Sequence, residues 1–176
     1  DWFGRKEKKN VAVVCGSVSG NLVVLDFDDV GVYEKFFDPK KVEKETLVVI
    51  TGSGKRHVYF RTPEPIPSFK IPELKLEVRS EGNVVVAPPS MHPCGKAYEF
   101  ADLERAEALE DIPVIRDLVE VIWSVAEGKF GVRRPDFEFE EAGDEEFTTW
   151  TPAKPWKGRS PPCIAKLLEG VGEGFR

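Results

Sequence analysis

The residues best suited to chemistry are the acids that end an apolar run, in the segment LVVLDFDD at positions 22–29. The Val- and Leu-rich run predicts a buried strand. Side chains two apart on a strand share a face, so Asp26 and Asp28 should project together while Phe27 points away. Two adjacent carboxylates repel each other, and a hard divalent cation such as Mg²⁺ or Mn²⁺ relieves that repulsion. The pattern predicts either a metal site or a strand end followed by an Asp-containing turn.

A second candidate group is TGSGKRH at positions 51–57, which joins a Gly-rich turn to three potential cations, Lys55, Arg56 and His57. Consecutive backbone N–H groups in such turns form anion-binding nests, and glycine permits close approach of a phosphate. The spacing is not that of a P-loop, because the four residues between the glycines are lacking and no helix follows. A plain hairpin loop with a structural His57 is the alternative.

Two later residues complete the candidates. Glu77 is a third carboxylate, but it shares a strand face with Lys75 and Arg79, so a surface ladder of ion pairs is its alternative. His92 lies in PPSMHPCG, where two prolines set a rigid turn. That histidine either contacts a ligand or holds the loop, and the loop role is favoured.

Strands and helices must position these residues. Apolar and alternating runs predict strands at 11–15, 22–28, 46–51, 56–61, 74–79 and 83–87. Helical spacing predicts helices at 32–37, 102–110 and 112–126, the first ended by Asp38-Pro39 and the last by Gly128. On the strand 56–61, His57 and Tyr59 should face away from Arg56 and from Phe60. Strands mainly first and helices mainly last indicate an α+β fold.

Length and composition narrow the class of protein. A chain of 176 residues with 41% hydrophobic residues is one domain, or one domain with a short appendage. We expect a cytoplasmic protein with no membrane contact, because there is no signal-peptide pattern and no apolar run near the roughly 20 residues of a membrane span. The three cysteines are scattered, which argues against zinc and against a disulfide framework. The absence of Gln and the 32% charged residues suggest a thermophilic source.

Charge is distributed unevenly along the chain. The net charge of −6 disfavours nucleic-acid binding, but residues 136–146 hold seven acids and no base, so the remainder carries −6 + 7 = +1. Residues 131–162 show no sustained periodicity and are predicted to be an acidic, then Pro/Trp-rich linker. The acidic run is either a solvated spacer, which is the commoner case, or a strip that mimics a nucleic-acid backbone. Helical spacing resumes at 163–169.

Together these segments resemble the primase–polymerase domain of the archaeo-eukaryotic primase superfamily, of the bifunctional type found on plasmids and viruses. The resemblance rests on VAVVCG, LVVLDFDD, TGSGKRHVYFR and LEVRSEGNVVVAPPSMHPCGKAYEF, and it covers roughly residues 10–100 in order and spacing. It implies a catalytic domain at 1–130 that lacks the N-terminal part of the family pattern. Residues 163–176 resemble the start of the helical accessory segment that follows such domains.

The resemblance also implies a fold, an activity and a site. The fold would be a small αβ unit beside a sheet related to RNA-recognition folds, with the active site in the cleft between them. The activity would be template-directed nucleotidyl transfer, with two Mg²⁺ or Mn²⁺ ions about 4 Å apart. The metal ligands and catalytic carboxylates would be Asp26, Asp28 and Glu77, although the family usually has Asp at the third position. The nucleotide-binding residues would be His57, Ser53, Lys55, Arg56 and Arg79.

The implied partners are a DNA template and primer, nucleoside triphosphates and a helicase encoded downstream in the same chain. No zinc is expected, because the segment 38–45 is a short loop here, whereas some relatives carry a zinc-bearing insertion. Two other functions compete with this one. The first is a non-catalytic module that binds single strands through aromatics such as Tyr59 and Phe60. The second is a haloacid-dehalogenase-type phosphatase, which also begins with an apolar strand and D-x-D but requires alternating strands and helices.

Overall fold

An antiparallel sheet of six strands organises the computed structural model, which describes residues 10–108 and 111–135. A separate two-stranded sheet accompanies it. The strands are β1 Val11–Val14, β2 Leu22–Phe27, β3 Val48–Ile50, β4 Arg56–Arg61, β5 Phe69–Ile71, β6 Leu76–Arg79, β7 Val84–Ala87 and β8 Glu99–Phe100. The helices are α1 Val30–Phe36, α2 Pro39–Glu45, α3 Leu103–Ala108 and α4 Leu118–Phe130. The mixture of helices and antiparallel sheets confirms the predicted α+β class.

The large sheet has the strand order β5-β6-β2-β4-β3-β8, so the strand that carries Asp26 lies near its centre. Its central strands are almost fully buried, as their Val- and Leu-rich sequences predict. Alternate residues of each strand supply two separate apolar clusters, one on each face. The larger cluster joins Leu25, Phe27 and Val58 to α1, α2 and α4.

The second face of the large sheet carries a smaller cluster, which includes Val24, Val49 and Tyr59. The strands β1 and β7 form the antiparallel two-stranded sheet. Cys15, just after β1, and Val85 on β7 complete the smaller cluster. Because side chains alternate along a strand, Asp26, His57 and Glu77 belong to this second face. The polar candidates therefore lie on the same face of the large sheet as this smaller cluster.

The predicted loop at 38–45 is wrong, because α2 occupies it. Asp38 accepts a hydrogen bond from the Lys40 N–H at 3.1 Å, and Pro39 lies at the first helical position, where its missing N–H costs nothing. Asp38-Pro39 thus follows the end of α1 and begins α2.

The predicted start of the helix at 112 is also wrong. The Arg61 N–H donates to the Pro113 carbonyl at 2.9 Å, and the Ile115 N–H donates to the Arg61 carbonyl at 2.7 Å, so this segment runs extended beside β4. Ile112 and Ile115 consequently pack in different clusters. The helix α4 continues through Gly128 and ends at Phe130, and Gly131, with a φ of 68°, forms its left-handed cap.

The acidic run 136–146, most of the predicted linker and the segment 163–176 lie outside the described residues, which form part of a compact unit that ends at Pro135. Among the described helices, none has the length and apolar character needed to cross a membrane.

Candidate active site

Three of the predicted site residues lie side by side across neighbouring strands. Asp26 on β2 pairs with His57 on β4 and, on its other side, with Glu77 on β6. Directly opposed residues of antiparallel strands have Cβ atoms about 4.5–5.5 Å apart, so the three side chains share one small area. Asp28 follows the end of β2, and its backbone N–H donates to the Lys75 carbonyl at 3.0 Å. The sheet register thus brings the predicted carboxylates and histidine together.

Asp26 is the most enclosed of the carboxylates, with its side chain 13% exposed. Its Oδ2 accepts a hydrogen bond from Arg79 Nε at 2.8 Å, and its Oδ1 lies 3.4 Å from His57 Nε2. Burial raises the pKa of Asp26, but His57 and Arg79 outweigh burial, so the net pKa lies below its usual value. Asp26 is therefore held as a carboxylate at neutral pH.

Asp28 is paired with Lys55, whose Nζ lies 2.5 Å from Asp28 Oδ1. Hydrogen bonding to Asp28 raises the pKa of Lys55, so the amine remains protonated. The third acid of the run has a structural role instead. Asp29 caps α1, accepting from the Gly31 N–H at 2.9 Å, as the turn alternative for this segment predicts.

Glu77 lies between two basic side chains. Its Oε2 is 2.6 Å from a terminal guanidinium nitrogen of Arg79, and its Oε1 is 2.6 Å from Lys70 Nζ. Lys75 does not join this group. It precedes β6 in a left-handed conformation with φ of 47°, and its amine lies 3.4 Å from Asp29.

The Gly-rich segment is the hairpin loop between the antiparallel strands β3 and β4. The hydroxyls of Ser53 and Thr51 are 3.0 Å apart, and the N–H groups of Gly54 and Lys55 donate to Thr51. Two N–H groups of the loop are thereby already bound internally. A Cβ on Gly52 would overlap the Cβ of His92, so this glycine admits the neighbouring protein loop.

His92 holds its own loop, the role that its sequence context favours. Its N–H donates to the Lys96 carbonyl at 2.8 Å, and its Nδ1 accepts from the Cys94 N–H at 3.2 Å. Its ring lies 5.9 Å, between centroids, from the ring of Tyr98.

Tyr98 is a residue of this site that sequence reasoning missed. Its ring centroid is 6.2 Å from that of His57, so it lies next to both histidines. Burial and the charge of Asp26 raise the pKa of Tyr98, which keeps its phenol neutral. The only sequence signal was its position at the end of the HPCGKAYEF motif.

Arg56 is a predicted site residue that the fold does not bring into this group. Its guanidinium lies 5.7 Å from the centroid of the Tyr33 ring, on the helix-covered face of the sheet. Its terminal nitrogen also donates to the Gly54 carbonyl at 2.5 Å. This placement follows from strand alternation, which also separates Arg56 from His57.

The donor set is chemically suited to a hard divalent cation, since it comprises three carboxylates within one small area. Among residues 10–108 and 111–135, however, no three His, Cys, Asp or Glu side chains are arranged to hold a metal ion. The carboxylates instead contact Arg79, Lys55 and Lys70. A cation that bound here would have to replace some of those basic partners.

Comparison with known proteins adds one positive result. A family model described as "Bifunctional DNA primase/polymerase, N-terminal" matches residues 1–114, which is 114 of 176 residues. No curated protein matches the chain.

Proposed function

Since the chain belongs to the bifunctional DNA primase/polymerase family, we propose that the site around Asp26 carries out template-directed nucleotidyl transfer. Membership of this family indicates DNA primase or polymerase activity on DNA and nucleotides. A primer 3′-hydroxyl attacks the α-phosphate of a nucleoside triphosphate, an O–P bond forms, and pyrophosphate leaves. The observation that carries this proposal is the cross-strand row of His57, Asp26 and Glu77, with Asp28 just beyond it.

The proposed metal ligands are Asp26, Asp28 and Glu77. A bound pair of Mg²⁺ or Mn²⁺ ions would stabilise the negative charge on the attacking and leaving oxygens. The protein's part is to keep these carboxylates ionised and close together despite their repulsion. Arg79 does this for two of them, because its guanidinium contacts Asp26 and Glu77 at once.

The proposed nucleotide-binding residues are His57, Ser53, Lys55 and Arg79, with Tyr98 packed beside the histidine. Lys55 and Arg79 supply positive charge for the triphosphate, and the buried His57 is fixed next to Asp26, which orients its ring. Preorganised charges of this kind need little rearrangement as the transition state forms. Arg56 is left out of this set because it faces α1.

The finer setting is proposed as well: a thermophilic plasmid or virus-like element, with a helicase downstream in the same protein and an active-site cleft beside an RNA-recognition-like sheet. The residue composition supports the thermophilic source. The face of the large sheet shared by the candidate site and the two-stranded sheet supports the cleft.

Two observations oppose the competing functions. Tyr59 and Phe60 are buried, at 4% and 8% exposure, so neither ring is available to stack on a base. The strands β3 to β8 follow one another without an intervening α-helix, whereas a phosphatase of the dehalogenase type needs alternating strands and helices.

Primer extension tests the proposal directly. The protein is incubated with a primed template, dNTPs and Mn²⁺, and a parallel reaction contains a chelator. Extension only with the metal supports the proposal. Binding of single-stranded DNA without extension indicates the binding module, and release of inorganic phosphate from a phosphate ester indicates the phosphatase.

A further inference from the structure

The amine of Lys55 forms an ion pair with Asp28, a carboxylate that the proposed function assigns to a metal ion. Its Nζ lies 2.5 Å from Asp28 Oδ1. Lys55 reaches this carboxylate from the β3–β4 hairpin, at the residue just before β4. The Lys55 ammonium therefore neutralises the carboxylate charge of Asp28 that a divalent cation would otherwise bind.

The basic partners of the site differ in how easily they can leave. Arg79 is only 29% exposed and contacts two carboxylates, so its removal would leave the enclosed Asp26 short of a partner. Lys55 and Asp28 are 42% and 44% exposed, and within residues 10–108 and 111–135 Lys55 forms an ion pair with Asp28 alone. Exposed pairs of this kind contribute little free energy, so water or another ligand readily replaces them.

The position of Lys55 decides what replaces Asp28 as its partner. Lys55 follows the Gly52–Gly54 loop directly and precedes His57, the residue proposed to contact the triphosphate. A lysine amine is a point charge on a flexible stem, so it can turn from a carboxylate to a nearby phosphate. It cannot neutralise both fully at the same time.

We propose that Lys55 holds Asp28 in the nucleotide-free protein and transfers to the triphosphate when nucleotide binds, which frees Asp28 for the metal ion. This inference rests on the proposed function and adds an order of events to it. Nucleotide and metal binding are then coupled through one side chain, and linkage requires the coupling to be reciprocal. Before nucleotide arrives, Lys55 competes with the metal.

Mn²⁺ binding to the nucleotide-free protein tests this competition without any measurement of activity. Lys55→Met removes the ammonium and keeps an apolar stem, so it should tighten Mn²⁺ binding about fivefold. The electron paramagnetic resonance signal of free Mn²⁺ measures this affinity in a titration. Lys75→Met is the matched control. It makes the same change in net charge beside Asp29, outside the proposed site, and should alter the affinity by less than about twofold. Lys55→Arg retains a cation and should bind Mn²⁺ as the unaltered protein does.

The double variant Lys55→Met/Asp28→Asn shows whether the gain passes through Asp28, because the gain should disappear there. If Lys55→Met binds Mn²⁺ no better than Lys75→Met, or does not bind it at all, the competition is refuted. Failure of the proposed function looks different. In that case Asp28→Asn in an otherwise unaltered protein would leave Mn²⁺ affinity unchanged and primer extension intact.

The second half of the transfer is measured with dATP in the presence of a chelator, so that no metal bridges protein and phosphate. Lys55→Met should weaken this binding about fivefold, and Lys75→Met should leave it unchanged. Equal dATP affinities for the two variants would show that Lys55 never reaches the triphosphate.

Discussion

The Nε of Arg79 donates a hydrogen bond of 2.8 Å to Oδ2 of Asp26 across the β2–β6 strand pair. Both side chains lie on the face of the large sheet that carries the candidate site. The pair keeps a mostly buried carboxylate charged beside Glu77. Its integrity should therefore affect both the stability of the sheet and the state of the site.

Arg79→Met should destabilise the protein by about 1–2 kcal/mol at neutral pH, because Asp26 would lose its charged hydrogen-bond partner and keep the weaker contact with His57. The folded-state pKa of Asp26 is lowered from 3.8, so its stabilising contribution is present above that value and is lost as the pH falls through the folded-state pKa. The difference between variant and unaltered protein should therefore shrink as the pH falls below 3.8. Urea unfolding across this range measures it. A difference that grows on acidification would contradict the assignment.

Asp28→Asn should reduce nucleotide incorporation by at least about 100-fold, because it removes one proposed metal ligand while keeping the shape of the side chain. The melting temperature should change little, since relief of repulsion with Asp26 offsets loss of the exposed Lys55 pair. Primer extension and a melting curve on the same preparation give both results. Full activity in this variant would exclude Asp28 as a ligand, and Asp29→Asn is the control at the helix cap.

Glu77→Gln should lower kcat about tenfold or more, whereas Glu77→Asp should keep most of the activity. The amide has the same length but no charge for a metal, while aspartate keeps the charge and restores the residue usual in the family. Single-turnover extension distinguishes the two variants. Equal activity of Glu77→Gln and unaltered protein would assign Glu77 to the ion pairs with Arg79 and Lys70 alone.

His57→Ala should weaken nucleotide binding about 10- to 100-fold and primer–template binding much less, because the imidazole is proposed to contact the phosphates. His92→Ala is a matched control, since both rings lie near Tyr98 but His92 holds its own loop. Separate titrations with dNTP and with DNA, on variants whose fold is checked by circular dichroism, provide the comparison. A loss confined to DNA affinity would assign His57 to the template instead.

Tyr98→Ala should raise KM for the nucleotide about tenfold with a smaller effect on kcat, because the ring packs beside His57 and keeps it in place. Tyr98→Phe retains the ring and should behave like the unaltered protein. Steady-state kinetics on both variants test this. If Tyr98→Phe were as impaired as Tyr98→Ala, the phenol oxygen would be the important group.

The local features of the site could be read from the amino-acid sequence, because they depend on residues close together in the chain. The apolar run before Asp26 predicts a buried strand, and the two-residue period places Asp26 on one face and Phe27 on the other. The same period separates His57 from Arg56, so the alternation along β4 already places Arg56 on the face opposite to the candidate site. The motif order also identified the family, which the match over residues 1–114 confirms.

Only the tertiary structure decided which residues surround Asp26. The strand order β6-β2-β4 places Glu77 and His57 on its two sides, and such pairing depends on contacts between residues far apart in the chain. The same long-range packing brings Tyr98 to His57, draws Lys55 to Asp28 and holds Ile112 and Ile115 in an extended segment despite their helical spacing. Local propensity yields at Ile112 and Ile115 because burial and the pairing of this segment with β4 contribute more free energy.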